Sequence, residues 1–300
     1  MTSGNDASGT SQSHRQGPYR TSASLQGRTI LMSGGSRGIG LAIATRAARD
    51  GAKIVLLAKT GQPHAKLEGT VYSAAEQIEA AGGQALPLVG DVRNDDDVAG
   101  AVAAAVERFG GIDIVINNAS AIDLSKTDGM DMKRYDLMQD INVRGAFLLS
   151  KLALPALRES EAGQILTLSP PLNLDPKWAG MHLAYTMAKY GMSLTTLGLA
   201  EELKVDGINV NSLWPCTLID TAAVRNMPGG ERIVRGARGP HIMADAAHAV
   251  LTASNAIPAS GSWSGNFYTD EQVLAAAGVT DFSSYSLGAP EDQLVPDIFL

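Results

Sequence analysis

The 300-residue sequence contains a single cysteine, Cys216, so no disulfide can close within the chain. That usage fits a reducing compartment, and a cytoplasmic protein is expected. No apolar run approaches the ~18 residues needed to cross a bilayer, so stable membrane insertion is not expected. The five histidines (His14, His64, His182, His241 and His248) lack paired spacing with cysteine or carboxylates, which argues against a metal site. No Gly-x-Ser-x-Gly elbow occurs, which disfavours a serine hydrolase. Positive charge is in deficit: 24 Lys and Arg stand against 31 Asp and Glu, a net charge of -7 that argues against nucleic acid as the main partner. The N-terminus is poor in apolar side chains, with Tyr19 the only large aromatic between Thr2 and about Thr21. Such a segment cannot offset its ordering entropy, so residues 1–26 are expected to form a flexible tail ahead of one domain at 27–300. It has no apolar core of a secretory signal. A transit peptide is the alternative, with Arg15, Arg20 and several serines in favour and no amphipathic pattern.

From Gly27 onward the pattern is regular. Strands are expected at Thr29-Ile30-Leu31-Met32 and over residues 53–58, 85–89, 112–116, 164–168 and 208–213. Helices are expected from Leu41 to Gly51, over 71–81, from Asp95 onward, over 133–157 and over 182–203. Pro87 is a residue that central strands exclude. The acidic run Asp95-Asp96-Asp97 suits the positive end of a helix, whose apolar positions Val98, Val102, Val106 and Phe109 recur at spacings of four, four and three. Strands that are apolar runs, alternating with helices, indicate an α/β fold: a doubly wound parallel sheet of Rossmann type.

Gly34-Gly35-Ser36-Arg37-Gly38-Ile39-Gly40 lies between the first strand and the first helix. Glycines there allow close backbone approach, and the helix start offers open N–H groups to a pyrophosphate, so Gly34, Ser36, Gly38, Ile39 and Gly40 are candidate dinucleotide-binding residues. The second strand ends in Ala58-Lys59-Thr60, without the acid that usually holds a ribose 2′-hydroxyl. Lys59 and Arg37 favour a 2′-phosphate, hence NADP(H); the alternative for Lys59 is an ordinary solvated lysine. Asp91-Val92 and Asn117-Asn118, after the third and fourth strands, are further candidate cofactor contacts.

Tyr185 and Lys189 are four apart on a helix and therefore share a face. An ammonium near a phenol favours the phenolate and lowers the tyrosine pKa from about 10. Such a phenol can pass a proton to or from a carbonyl oxygen, while Lys189 reaches the nicotinamide ribose.

Ser33 to Gly40, Asn117-Asn118-Ala119, Asn142 in Ile141-Asn142-Val143, and Tyr185 with Lys189 together resemble the classical short-chain dehydrogenase/reductase family, over residues 27–268. The resemblance implies Tyr185 as general acid/base, Lys189 as its modulator and Asn142 as the holder of a relay water. It also implies Pro215 and Thr217 near the nicotinamide amide, with Cys216 in place of the usual glycine. The subgroup most resembled carries a C-terminal sterol-carrier domain in its longer forms; the match here is to the dehydrogenase part alone. One position departs from the family: Leu172 stands where the usual catalytic serine falls, leaving Ser169 and Asn173 as alternative substitutes.

Residues 221–239 have the length of a substrate lid, in which Met227, Ile233 and Val234 either line a pocket or pack in the core. Trp178, Met181 and His182 wall the expected entrance, His182 as a polar rim. The implied substrate is lipophilic, a steroid- or fatty-acyl-like carbonyl or alcohol. A catalytically silent NADP(H) sensor is the competing reading. On the helix bearing Tyr185, Met187, Tyr190, Leu194 and Leu197 form one apolar stripe, and Met192, Leu199 and Leu203 an opposite one. One stripe covers the sheet; the other meets either a partner subunit or the C-terminal segment. The family implies a homodimer or homotetramer.

Overall fold

The computed structural model describes Tyr19, Thr21 and residues 23–63, 68–227, 229–253 and 264–300. In chain order these form β1 (Thr29–Ser33), α1 (Gly38–Ala48), β2 (Lys53–Ala58), α2 (Val71–Ala80), β3 (Gln84–Val89), α3 (Asp95–Phe109) and β4 (Ile114–Asn117). Then come α4 (Met132–Met138), α5 (Gly145–Arg158), β5 (Gln164–Thr167), α6 (Pro176–Glu202) and β6 (Asn209–Trp214). The short α7 (Ala222–Arg225) and α8 (Gly230–Ile233) precede α9 (His241–Thr252), β7 (Phe267–Thr269) and α10 (Asp270–Ala276).

The strands form one parallel sheet in the order β3-β2-β1-β4-β5-β6-β7. Successive strand residues point to opposite faces, which explains the uninterrupted apolar runs. Ile30, Met32, Ile54, Leu56, Ile114 and Ile116 face one side with residues of α1, α9 and α10. Leu31, Val55, Leu57 and Val115 face the other with residues of α3, α5 and α6. The chain crosses from β3 back past β1 to β4, so the strand order reverses where Ser33 and Asn117 pair. A crevice at the carboxyl ends of the strands is the usual ligand site of such sheets.

The sequence expectations survive in outline and change in instructive places. Pro87 sits inside β3, opposite Leu56, and is tolerated because β3 is an edge strand. The single helix expected over 133–157 is divided by a π-helical turn, Gln139–Arg144, between α4 and α5. The helix bearing Tyr185 begins near His182 as expected, at a break (φ -158°, ψ 65°), and a short helical segment capped by Asp175 runs into it across that kink within α6. Residues 1–18, 20 and 22 of the expected tail lie outside the described residues. Tyr19 and Leu25, assigned to that tail, are buried in the core, so the packed body begins ahead of Gly27. The reason is specific: the Tyr19 hydroxyl lies 3.3 Å from His248 Nδ1, and Asp50 accepts from the Leu25 amide and pairs with His248 Nε2 at 2.7 Å. No helix among the described residues is long and apolar enough to cross a membrane, and no cluster of three metal-ligating side chains occurs among them.

Candidate active site

At the switch point, Gly34 and Gly35 adopt φ of 78° and 86°, a left-handed conformation that other residues rarely take. Gly40 has no space for a side chain, because a Cβ would lie 2.5 Å from Asn118 Nδ2 and 2.8 Å from Gly35 Cα. Asn118 in turn holds the end of β1, donating from Nδ2 to the Ser33 carbonyl at 3.0 Å. The N-cap of α1, Arg37, makes no side-chain cap, which leaves the first-turn N–H groups open for an anion. Ser36 is buried in the loop, and Ile39 leans on the core. This cradle fits a pyrophosphate. Arg37 departs from the expectation of a free cation: its Nε and Nη2 donate to the carbonyls of Glu68 and Gly69 at 2.8 and 2.7 Å.

Beyond the loop, Lys59, Thr60, Gly61, Gln62, Tyr72 and Val89 line an open cavity of about 480 Å³. Lys59 is mostly exposed and lies 3.3 Å from Asp91. Asp91 is tied more firmly to Arg93, at 2.6 Å, and that guanidinium holds its carboxyl well below the usual range. Val92 is buried behind it. His64, just past Pro63 in the sequence, lies outside the described residues.

The tyrosine helix crosses the sheet at the ends of β5 and β6. Lys189 Nζ donates to the Leu168 carbonyl at 2.9 Å and lies 5.1 Å from the centre of the Trp214 ring. Tyr185 is buried in the same cluster as Trp178, Trp214 and Phe299. Gly191 lets α6 approach the π turn so closely that a Cβ there would meet Val143 at 2.6 Å. That contact brings Asn142 to the helix. Its amide clamps both backbone groups of Ala121, at 2.8 and 3.0 Å. Thr217 Oγ1 is buried without a partner, beside the buried Pro215.

The electrostatics correct one expectation. Lys189 does not lower the Tyr185 pKa in this conformation; burial raises it, and Asp297 raises it further. Burial likewise pushes Lys189 down to about 7 and Asp297 up to about 7. Asp297 belongs to the segment whose Phe299 stacks on Tyr185, and the Thr217–Pro296 bridge and the Asp297 N–H to Cys216 carbonyl bond fix that segment across the site. Ser169 is buried, its hydroxyl 2.8 Å from Ser212 Oγ, which donates onward to Thr196. Asn173 is instead committed to the C-terminal segment, donating to the Phe299 carbonyl at 3.1 Å. His182 is buried, not rim-like; burial lowers its pKa, and Nε2 has no partner.

Four residues at the site escaped the sequence reading. Thr221 lies 3.5 Å from where a Gly38 Cβ would be, so it flanks the glycine-rich loop. Its only local signal was its cap on α7. Tyr72 belongs to a helix face and reaches the Lys59 cavity only through folding. Asp297 and Phe299 come from the far end of the chain and carried no motif. Met227, Ile233 and Val234 are half-buried in the segment after Thr221.

Residues 28–231 match the family model described as short chain dehydrogenase. The chain is 51% identical over 276 residues to the hydroxysteroid dehydrogenase-like protein 2 of Xenopus laevis, covering 92% of this chain and 64% of that protein's length. A crystal structure of a putative dehydrogenase from Xanthomonas campestris superposes with a TM-score of 0.86 at 51% identity, covering 92% of this chain and 99% of that one. A Burkholderia cenocepacia short chain dehydrogenase in complex with NADP matches with a TM-score of 0.68 and 29% identity, over 82% and 96% of the two chains. The match runs through the glycine loop and the tyrosine helix, on a fold shared with solved dehydrogenases. The chain belongs to the short-chain dehydrogenase/reductase family of oxidoreductases.

Proposed function

We propose that this protein interconverts a carbonyl and a hydroxyl on a lipophilic substrate, using NADP(H). The observation that carries the reading is Tyr185 and Lys189 together at the ends of β5 and β6, on the side of the switch point where the open start of α1 lies. Gly34, Ser36, Gly38, Ile39 and Gly40 would hold the pyrophosphate against the helix N-terminus. Lys59 and Arg37 would face the 2′-phosphate, with Asp91, Val92 and Asn118 around the adenosine half. Pro215 and Thr217 would meet the nicotinamide amide, for which the unpartnered Thr217 hydroxyl is suited. When bound, the nicotinamide supplies or accepts the hydride.

The chain's own residues handle the proton. Tyr185 donates it to the carbonyl oxygen during reduction and removes it from the alcohol in reverse. Lys189, four residues on along the same helix, stabilises the resulting phenolate when it carries its charge. Asn142 positions the loop at Ala121 and the π turn behind the helix, where a water relay would return the proton.

The exposed stripe of α6 supports a homo-oligomer. Met187, Leu194 and Leu197 are 49%, 57% and 46% exposed, while Met192, Leu199 and Leu203 on the opposite face are buried on the sheet. Phe147 of α5 is exposed too.

The test is NADPH oxidation over a panel of ketones and acyl substrates, with wild type and Tyr185→Phe side by side. Wild type should turn over at least one lipophilic ketone, and the variant should lose ~10²–10⁴-fold in kcat/KM while still binding NADPH. Undiminished turnover by Tyr185→Phe would remove the assignment.

A further inference from the structure

The Tyr185 site is already filled by the chain itself. The Phe299 ring is fully buried, with ring centres 5.9 Å from Trp178, 5.5 Å from His182, 6.1 Å from Tyr185, 5.2 Å from Tyr190 and 6.0 Å from Trp214. The ring is nearly parallel to Tyr185, at 28°. Five aromatic side chains around one phenyl ring make a cage of aromatic dimensions, with the tilted and edge-on geometries that aromatic pairs favour.

Phe299 is the only non-glycine residue with positive φ (78°) among the described residues, a backbone state that persists only where surroundings enforce it. Side-chain hydrogen bonds tie its flanks to the body at Trp214 Nε1 to the Ile298 carbonyl, 3.0 Å, and Asn173 Nδ2 to the Phe299 carbonyl, 3.1 Å, while the Ile298 N–H donates locally to Asp297 Oδ1 at 2.7 Å. Finally, Trp178 Nε1 and His182 Nε2 are buried in the cage wall without hydrogen-bond partners. A hydrocarbon ring offers them nothing, and buried polar groups normally find a partner.

Resting on the reading of Tyr185 as the proton donor, we infer that the cage is the substrate subsite for an aryl group, that the substrate is an aryl ketone or the matching aryl carbinol, and that Phe299 is a competing occupant in the same chain. Residues 298–300 swing out about Asp297, whose backbone stays paired with Cys216. The incoming aryl ring takes the place of Phe299, and its oxygen-bearing carbon brings the acceptor that the cage lacks. The closed form also accounts for the burial of Tyr185, on which the Phe299 ring stacks, and opening removes that ring from the phenol. Affinity for the aryl ligand is then reduced in proportion to the fraction of open molecules.

The test uses acetophenone binding by calorimetry without cofactor, so it does not depend on turnover. Phe299→Ala should bind acetophenone at least tenfold more tightly than wild type, and more tightly than it binds cyclohexyl methyl ketone. A second measurement leaves the tail intact: 4-fluorophenylalanine is incorporated into the wild-type chain and the position-299 resonance identified by its loss in Phe299→Ala. On saturation with acetophenone that ¹⁹F signal should move to the shift of a solvent-exposed ring. Equal affinity in the two proteins, or a ¹⁹F signal that stays in place with the ligand bound, overturns the inference. Loss of turnover in Tyr185→Phe is read separately, so a failed cage and a failed acid/base assignment give different results.

Discussion

Gly40→Ala tests whether the cradle at the start of α1 holds the dinucleotide. The new methyl would sit 2.8 Å from Gly35 Cα, and ordinary contact begins at 3.4 Å, so helix and loop must separate by about 0.6 Å. Asn118 cannot easily yield instead, since it lies closer still, at 2.5 Å, and is held by its bond to Ser33. A displacement of that size stretches an N–H···O bond from about 2.9 Å to beyond its useful range. Each charge-assisted bond lost costs about 1.5–3 kcal/mol, so the NADPH Kd should rise ~10–100-fold. Overpacking should also destabilise the fold by about 1–3 kcal/mol. The assay is fluorescence titration with NADPH alongside urea unfolding. Gly100→Ala is the control: its Cβ meets nothing within 4 Å, and helix propensity should stabilise α3 by up to about 1 kcal/mol with NADPH affinity unchanged. If Gly40→Ala binds NADPH within twofold of wild type, the cradle is not the pyrophosphate site.

Two further outcomes are expected in other parts of the molecule. Leu194→Glu, on the exposed stripe of α6, should shift the protein to monomer in sedimentation velocity while leaving its circular dichroism unchanged; an unaltered sedimentation coefficient would place any interface elsewhere. Acid should destabilise the chain partly through His248. Its folded-state pKa is lowered from 6.5 chiefly by burial, so below about pH 6.5 the unfolded state binds more protons and stability is lost as pH falls. His182 acts in the same direction, and Asp50, lowered from 3.8, adds its share only at lower pH. His248→Gln should therefore show a smaller fall in Tm between pH 7.5 and 5.5 than wild type, and an identical fall would exclude His248.

The legibility of the fold came from local physics. β2 was readable to the residue because Lys53–Ala58 is an apolar run bounded by turn residues, and a buried parallel strand needs no more. The division of the 133–157 helix was not readable. A π turn depends on the packing of α6 against Val143, and residues 139–144 carry no breaker. The segments beyond residue 239 were missed for a related reason: β7 is three residues long and gains its identity from pairing with β6. At the site, the glycine loop and the Tyr185–Lys189 pair announced themselves by spacing. Ser169 did not reveal that its hydroxyl is bound to Ser212, a contact across 43 residues.

Sequence alone thus determined the parallel sheet, the glycine-rich loop after β1 and the tyrosine–lysine pair, because each depends on periodicity or on residue type within a few positions. Tertiary structure decided the rest. It tied Arg37 to the carbonyls of Glu68 and Gly69, set Lys59 beside Asp91, and turned Ser169 inward. It also laid Asp297 and Phe299 over Tyr185, reversing the expected sign of the tyrosine's pKa shift. A charge pair four residues apart can be read from a helix. Burial under a segment more than a hundred residues away depends on where the tertiary fold places residues 297–299.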